Sequence, residues 1–387
     1  MDTPEVGPRR LLALDGLRGA AALVVVVHHA LLTIPSLALP YFGSDATTDA
    51  NSFTWWLIYS PLHLFWNGTA AVYLFFVLSG VVLTLPVIRT GPDYNWGRYY
   101  IQRIVRIYVP VWAAVLLAAL NIALFHRGPN PSRWVDANQD PISAAAVIND
   151  LGLLTQRGFL ASPLWSLHWE ILFSLLLPVS VWIALQLGRH SMLLLPFALG
   201  AVAAGDRLAI PELKFMPMFL IGTVLAVLIH SRLDDHRHSS LWTVAGVLAS
   251  LAACSPWIVR GLHVGASLRS IAEALAVAAC AVLLLSSICS RAIRSCLERR
   301  PLQFLGRISF SLYLVHEPIV IAFASVGLAP AVAIPVSIGL SLCIAVAFYK
   351  LIEQPSHRLA RRAAQRPMRT PPLRARQLIR PSDSTMS

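Results

Sequence analysis

Apolar stretches of about 20 residues, almost free of charge, recur along this chain, and that recurrence excludes most folds. A helix needs roughly 20 apolar residues to cross about 30 Å of hydrocarbon. Within lipid, every backbone N–H and C=O must find its partner inside the protein, which leaves helices or closed barrels. Ten such stretches fall near residues 14–33, 69–88, 104–125, 164–187, 190–205, 211–230, 241–259, 268–288, 307–327 and 330–351. The expected fold is therefore all-α, a polytopic integral membrane protein with about ten transmembrane helices. The 56% hydrophobic and 13% charged content agrees, soluble domains carrying about 25% charged residues.

Arginine sets the orientation. An even number of spans places both termini on one side. If that side is cytoplasmic, 24 of the 31 Lys and Arg lie in inner segments and seven lie outside, as the positive-inside rule requires. The expected topology is N-in and C-in, in the inner (plasma) membrane. Residues 1–13 form a short cytoplasmic N-terminus, 14–355 the transmembrane domain, and 356–387 a basic, disordered cytoplasmic tail. A cleaved secretory signal is the weaker reading of the first span, because Arg18 and two histidines interrupt it. The tail, with eight arginines and no acid between Gln354 and Arg380, suits anionic lipid. Nucleic acid is not an expected partner, since orientation alone explains the spread of charge. Five scattered cysteines without a CxxC pair indicate neither a disulfide framework nor a zinc site. The inner-loop run His236-Arg237-His238 lacks companion acids, so no metal is expected. Two longer outer loops, near 34–66 and 126–163, carry Trp55, Trp56, Trp66 and Trp134, placed at the membrane interface or as a roof over a site.

Ionisable residues at membrane depth are costly and mark function unless they sit at helix ends. His28, His29, Glu170, Glu273 and His316 fall inside spans, whereas Asp15, Arg18, Arg103, Arg106, Arg307 and Glu353 lie near inner ends. Arg18 and His29 are 11 residues apart, which returns a helix to within about 20° of the same face after a rise of roughly 16 Å. Arg18 is then an interfacial anchor or a deep cation, and His29 an interhelical hydrogen-bonder or a reactive imidazole. His28 points elsewhere and reads as packing. Arg103 and Arg106, spaced i, i+3 after Arg98, suit phosphate, because guanidinium forks pair with its oxygens; plain topology is the other reading. Glu170 is either a structural lock or a catalytic acid. His316, one turn beyond Tyr313, orients substrate or supports His29. Glu273 and Glu353 are expected to pair with arginine, and Ser79-Gly80 to serve close helix packing.

These blocks resemble the acyltransferase 3 family of polytopic membrane acyltransferases, from Leu14 to about Pro355. The opening Leu14-Asp15-Gly16-Leu17-Arg18-Gly19 followed by His29 is similar to the family's arginine, ten residues, histidine pattern. Phe75-Phe76-Val77-Leu78-Ser79-Gly80, Arg103-x-x-Arg106-Ile107, Trp165-Ser166-Leu167 with Glu170 and Phe173, Ser309 to His316 with Pro318, and Glu353-x-Pro355 follow in order. Tyr73 stands where many members have an acid, Ser174 replaces a frequent Tyr, and Pro110 stands one residue later than the commonest spacing. The chain is similar to the stand-alone form without a C-terminal esterase-like domain.

The resemblance implies transfer of an acyl group, acetyl by default, from cytoplasmic acyl-CoA to a hydroxyl of a surface saccharide or secreted metabolite. Arg18, Arg103 and Arg106 would then bind the acyl-CoA phosphates. His29 would act as general base, with a covalent acyl-histidine as the less favoured route. Glu170 would orient His29 or the acceptor. His316 with Tyr313 would bind the acceptor or polarise the carbonyl, and Trp165 would contact substrate. No permanently bound cofactor is expected beyond acyl-CoA as donor. A transporter or flippase for a glycan or lipid is the competing reading, although the chain shows no repeat of the kind many transporters have.

Overall fold

The computed structural model describes residues 8–43, 49, 50, 52–125, 128–232 and 239–365. The first seven residues, the His236-Arg237-His238 run and the tail from residue 366 lie outside the described residues. Within them there is no strand. Among the described residues nine helices are long and apolar enough to cross a membrane, or ten if one bent pair counts as a span. They are α1 (Pro8–Leu31), α2 (Gly68–Thr90), α3 (Trp96–Leu124), α4 (Leu164–Leu187), α5 (Leu194–Leu208), α6 (Pro211–Arg232), the pair α7 (Ser239–Ala252) and α8 (Ser255–Gly261), α9 (Ala266–Cys289), α10 (Arg300–Ser325) and α11 (Pro330–Phe348). α7 and α8 meet at 42°, so the seventh expected span is a broken one. A further helix, α12 (Gln354–Gln365), packs on α3. Helix thus runs ten residues past the expected domain limit at Pro355.

The bundle is apolar outside as well as inside. On α3, Trp112, Leu116, Leu120 and Leu124 are all exposed, a stripe at i, i+4 spacing that suits lipid and not water. Polar side chains gather between helices instead, where Ser309, Ser311, His316 and Glu317 of α10 are buried.

Two crossings depend on glycine. A Cβ on Gly19 of α1 would stand 2.4 Å from the Gly306 nitrogen of α10, and one on Gly306 would stand 2.3 Å from the Asp15 carbonyl oxygen. Likewise a Cβ on Gly80 of α2 would lie 2.2 Å from the Phe219 carbonyl oxygen of α6, and 2.8 Å from Gly222 Cα. Backbones come this close only where side chains are absent, as in small-residue packing within membranes. The packing reading of the Ser79-Gly80 block thus holds for Gly80, while Ser79 faces an interior cavity.

The join between α11 and α12 is a π-turn over Tyr349–Glu353. Pro355 has no N–H to donate back to the preceding turn, and the widened turn accommodates that loss. Glu353 is thereby turned inward, where its Oε2 accepts from Ser311 N at 3.1 Å and Ser311 Oγ at 2.5 Å. Ser311, with His357 3.9 Å away, supplies the close partners, while the expected arginines, Arg18 and Arg106, line the same cavity and act on Glu353 by charge without a direct ion pair.

Gly80→Val and Gly19→Val should each lower the detergent-extracted protein's melting temperature, since overpacking costs about 1–3 kcal/mol or more. Gly200→Ala, whose Cβ would meet nothing within 4 Å, should leave it unchanged in the same fluorescence-detected unfolding assay.

Candidate active site

The α1–α10 crossing brings two histidines into contact. His29 Nδ1 lies 2.8 Å from His316 Nε2, with the rings nearly parallel at 10° and 5.0 Å between centroids. The direction of this bond follows from its neighbour. His316 Nδ1 is 3.0 Å from the Leu312 carbonyl oxygen, which can only accept, so Nδ1 carries the proton and Nε2 of the neutral ring is a lone pair. His29 Nδ1 therefore donates to it. The remaining nitrogen, His29 Nε2, then carries the lone pair of the neutral ring. A histidine locked into one tautomer by a second group is the arrangement that presents a base.

The outer loops close over this pair. Ser132 caps the short helix Arg133–Ala137, and its Oγ donates to the Leu32 carbonyl oxygen at 2.6 Å, tying the loop to the end of α1. Trp134 is thereby stacked on His29, with 5.0 Å between centroids. Glu317, buried beside His316, accepts from Ser162 N at 2.5 Å and also from Ser162 Oγ, anchoring the same loop before α4. His28 is a supporting residue, as expected. Its Nδ1 donates to the Trp66 carbonyl oxygen at 2.9 Å. Around it lie Tyr41 and His63, joined at 3.3 Å. Burial pushes the His63 pKa well below the usual histidine range, His28 adding to the shift, while burial raises that of Tyr41.

Toward the arginine-rich end the same helices enclose a cavity of about 180 Å³. Arg18, Arg103 and Arg106 all face it, together with Glu170, Tyr313 and Ser79. Three cations from two helices thus converge as the sequence expectation required. Glu170 does not reach the histidines. It forms an ion pair with Arg103 Nη2, and Arg103 Nε donates to Ser174 Oγ at 2.9 Å; the side chain bonded to His29 is His316. The reason is geometric: long side chains of α3 reach across to α4, Tyr99, Tyr100 and Arg103 all bonding to it, and the Arg103 guanidinium takes up the carboxylate.

Tyr313 stands between cavity and histidines. Its hydroxyl is engaged by Ser166 Oγ at 2.7 Å and donates to the Pro163 carbonyl oxygen at 3.1 Å, and its ring lies 6.1 Å from that of His316. Both His316 nitrogens are likewise engaged, by His29 and by the Leu312 carbonyl oxygen, so the ring has no donor left for a carbonyl. Trp165 packs against Phe76 and Phe215, outside the cavity lining. Glu273 pairs with Lys214 at 3.6 Å and accepts from the Tyr73 hydroxyl at 2.7 Å, where an arginine partner was expected. Sequence reasoning passed over Glu317, although an acid next to His316 within an apolar span was a signal of the same kind as Glu170. Trp134 stacks on His29, in keeping with the roof reading of its outer loop, and Ser166 of the Trp165-Ser166-Leu167 block, on α4, was given no role of its own by the sequence.

Among the described residues, no group of three or more His, Cys, Asp or Glu is placed to hold a metal ion. The helical bundle and its buried site define a polytopic membrane protein whose polar groups lie between helices: a histidine pair next to an arginine-lined cavity. The sequence profile described as "Acyltransferase domain" matches residues 11–350, and the chain belongs to that acyltransferase 3 family of membrane acyltransferases. No curated protein matches the chain, nor does any solved structure.

Removing one partner of a partly buried ion pair leaves the other charge uncompensated. Arg103→Ala should therefore destabilise the protein by about 1–3 kcal/mol, and Glu170→Gln in the same chain should recover part of the loss in a double-mutant unfolding cycle.

Proposed function

We propose that this membrane O-acyltransferase takes an acyl group, acetyl by default, from cytoplasmic acyl-CoA and delivers it to a hydroxyl of a surface saccharide or secreted metabolite in the inner membrane. The observation that carries the reading is the fixed tautomer of His29. Its Nε2 would take the acceptor's hydroxyl proton as the oxygen attacks the thioester carbonyl carbon. The new C–O bond forms, the C–S bond breaks, and the proton passes from the imidazolium to the leaving thiolate. While the imidazolium exists, its Nδ1–H remains bonded to His316 Nε2, so His316 steadies the charge and the orientation.

Arg18, Arg103 and Arg106 suit phosphate by fork geometry. The cavity they line, about 180 Å³, is smaller than the several hundred Å³ typical of whole-ligand sites. It would therefore take one end or the thiol arm of the donor, and the bulk of the nucleotide would lie outside it. Cations at one end and the base at the other match a donor fed from the cytoplasm to an acceptor near the opposite face. Anionic lipid against the basic tail belongs to the same orientation. Family membership favours transfer over the transporter reading.

In proteoliposomes supplied with labelled acetyl-CoA, His29→Ala should abolish transfer while leaving folded protein. His316→Ala should lower kcat by about 10²-fold or more with the acyl-CoA KM little changed, as loss of an orienting group does. Arg106→Ala should chiefly raise that KM, by about tenfold for one lost charge-assisted contact. Full activity of His29→Ala would remove it from the base role.

A further inference from the structure

A second cavity, of about 300 Å³, opens at the histidine end of the bundle between the start of α2, the end of α5, α8 and the start of α9. Its floor is a closed network. Lys214 Nζ lies 2.7 Å from Asp206 and 3.6 Å from Glu273; Ser270 Oγ donates to Asp206 at 2.7 Å and the Tyr73 hydroxyl to Glu273 at 2.7 Å. These carboxylates are thus answered, yet each keeps acceptor capacity toward the cavity.

Arg207, Arg260 and Arg269 also line it. Among the described residues none of the three meets a carboxylate, and the Arg260 guanidinium lies 5.4 Å over the Trp257 ring. Four of the seven cations that the N-in orientation places outside, these three and Lys214, collect at this one site, against the trend that keeps outer loops poor in cations. Four cations against the two acids Asp206 and Glu273 leave an excess of positive charge. The cavity also adjoins the histidine layer. Trp257, in its wall, lies 4.3 Å from Tyr41 and 4.6 Å from His63, and Tyr41 lies 5.0 Å from His28, the neighbour of His29.

We infer that this cavity binds the acceptor, and that the acceptor is an anionic saccharide, a sugar bearing a phosphate or a carboxylate. The three arginines take the acidic group through their forks, and Asp206 and Glu273 accept from ring hydroxyls. The assignment rests on the acyl-transfer reading for the word acceptor; the binding chemistry stands on the cavity alone.

The test uses the full chain in phosphatidylcholine nanodiscs, without acyl-CoA. Binding of glucose 1-phosphate and of glucuronate is followed by saturation-transfer NMR, with methyl glucoside as the neutral control. At least one anionic probe should bind about tenfold more tightly than methyl glucoside, and Arg207→Gln with Arg269→Gln should weaken it by about the same factor. Arg291→Gln, an exposed arginine that lines neither cavity, should leave the anionic probe's affinity unchanged. Equal binding of the neutral sugar, or no effect of the double replacement, would overturn the proposal. So would loss of probe binding when phosphatidylglycerol is included, which would show the cavity to be a lipid headgroup site. Anion binding without transfer on adding acetyl-CoA would fault the acyl-transfer reading and not the cavity; transfer to methyl glucoside with no anion binding would fault the cavity alone.

Discussion

The approach of α1 to α10 at Gly19 and Gly306 is the contact on which the rest depends. With backbone atoms this close, Arg18 and His29 on one helix are registered against Tyr313 and His316 on the other. One face of each helix then carries the cavity cation, the intervening tyrosine and the histidine pair in series. A wider crossing would leave His29 Nδ1 without its 2.8 Å partner, and a buried imidazole without a partner is costly. The bond between the rings is thus a product of glycine placement some ten residues away.

Lipid surroundings explain why the polar groups form closed sets. With no water to answer a bare group, the acids between the helices meet partners from other elements: Glu170 with Arg103, Glu353 with Ser311, Glu317 with Ser162, Glu273 with Tyr73 and Lys214. Those pairs tie helices that apolar contact alone would not distinguish, since lipid tails compete equally for apolar surface. Arg207, Arg260 and Arg269 meet no carboxylate among the described residues, and their gathering around the second cavity sets that site apart from the structural pairs.

Much of the site was legible as residue types. Arg18, Arg103, Arg106, His29 and His316 stand out because charge inside apolar spans is expensive, and all five face the cavity or the histidine pair. Their partners were not legible. Glu170 was open between a lock and an acid, and it is the reach of the Arg103 side chain from α3 that gives it a partner. Glu273 looked ready for an arginine and meets a lysine and a tyrosine, because α6 and α2 are its neighbours. Trp134 lies in a loop whose path no periodicity reports, yet it covers His29.

By itself the sequence determined the helical class, the rough place of the spans and the set of expensive side chains, because hydrophobic length and the cost of buried charge are properties of local composition. Tertiary structure alone decided which of those side chains meet, which ring nitrogen of His29 is left basic, and where cations remain unpaired. Those outcomes depend on helix crossings and loop paths, and contacts between residues hundreds of positions apart, such as His29 with His316, leave no local trace along the chain.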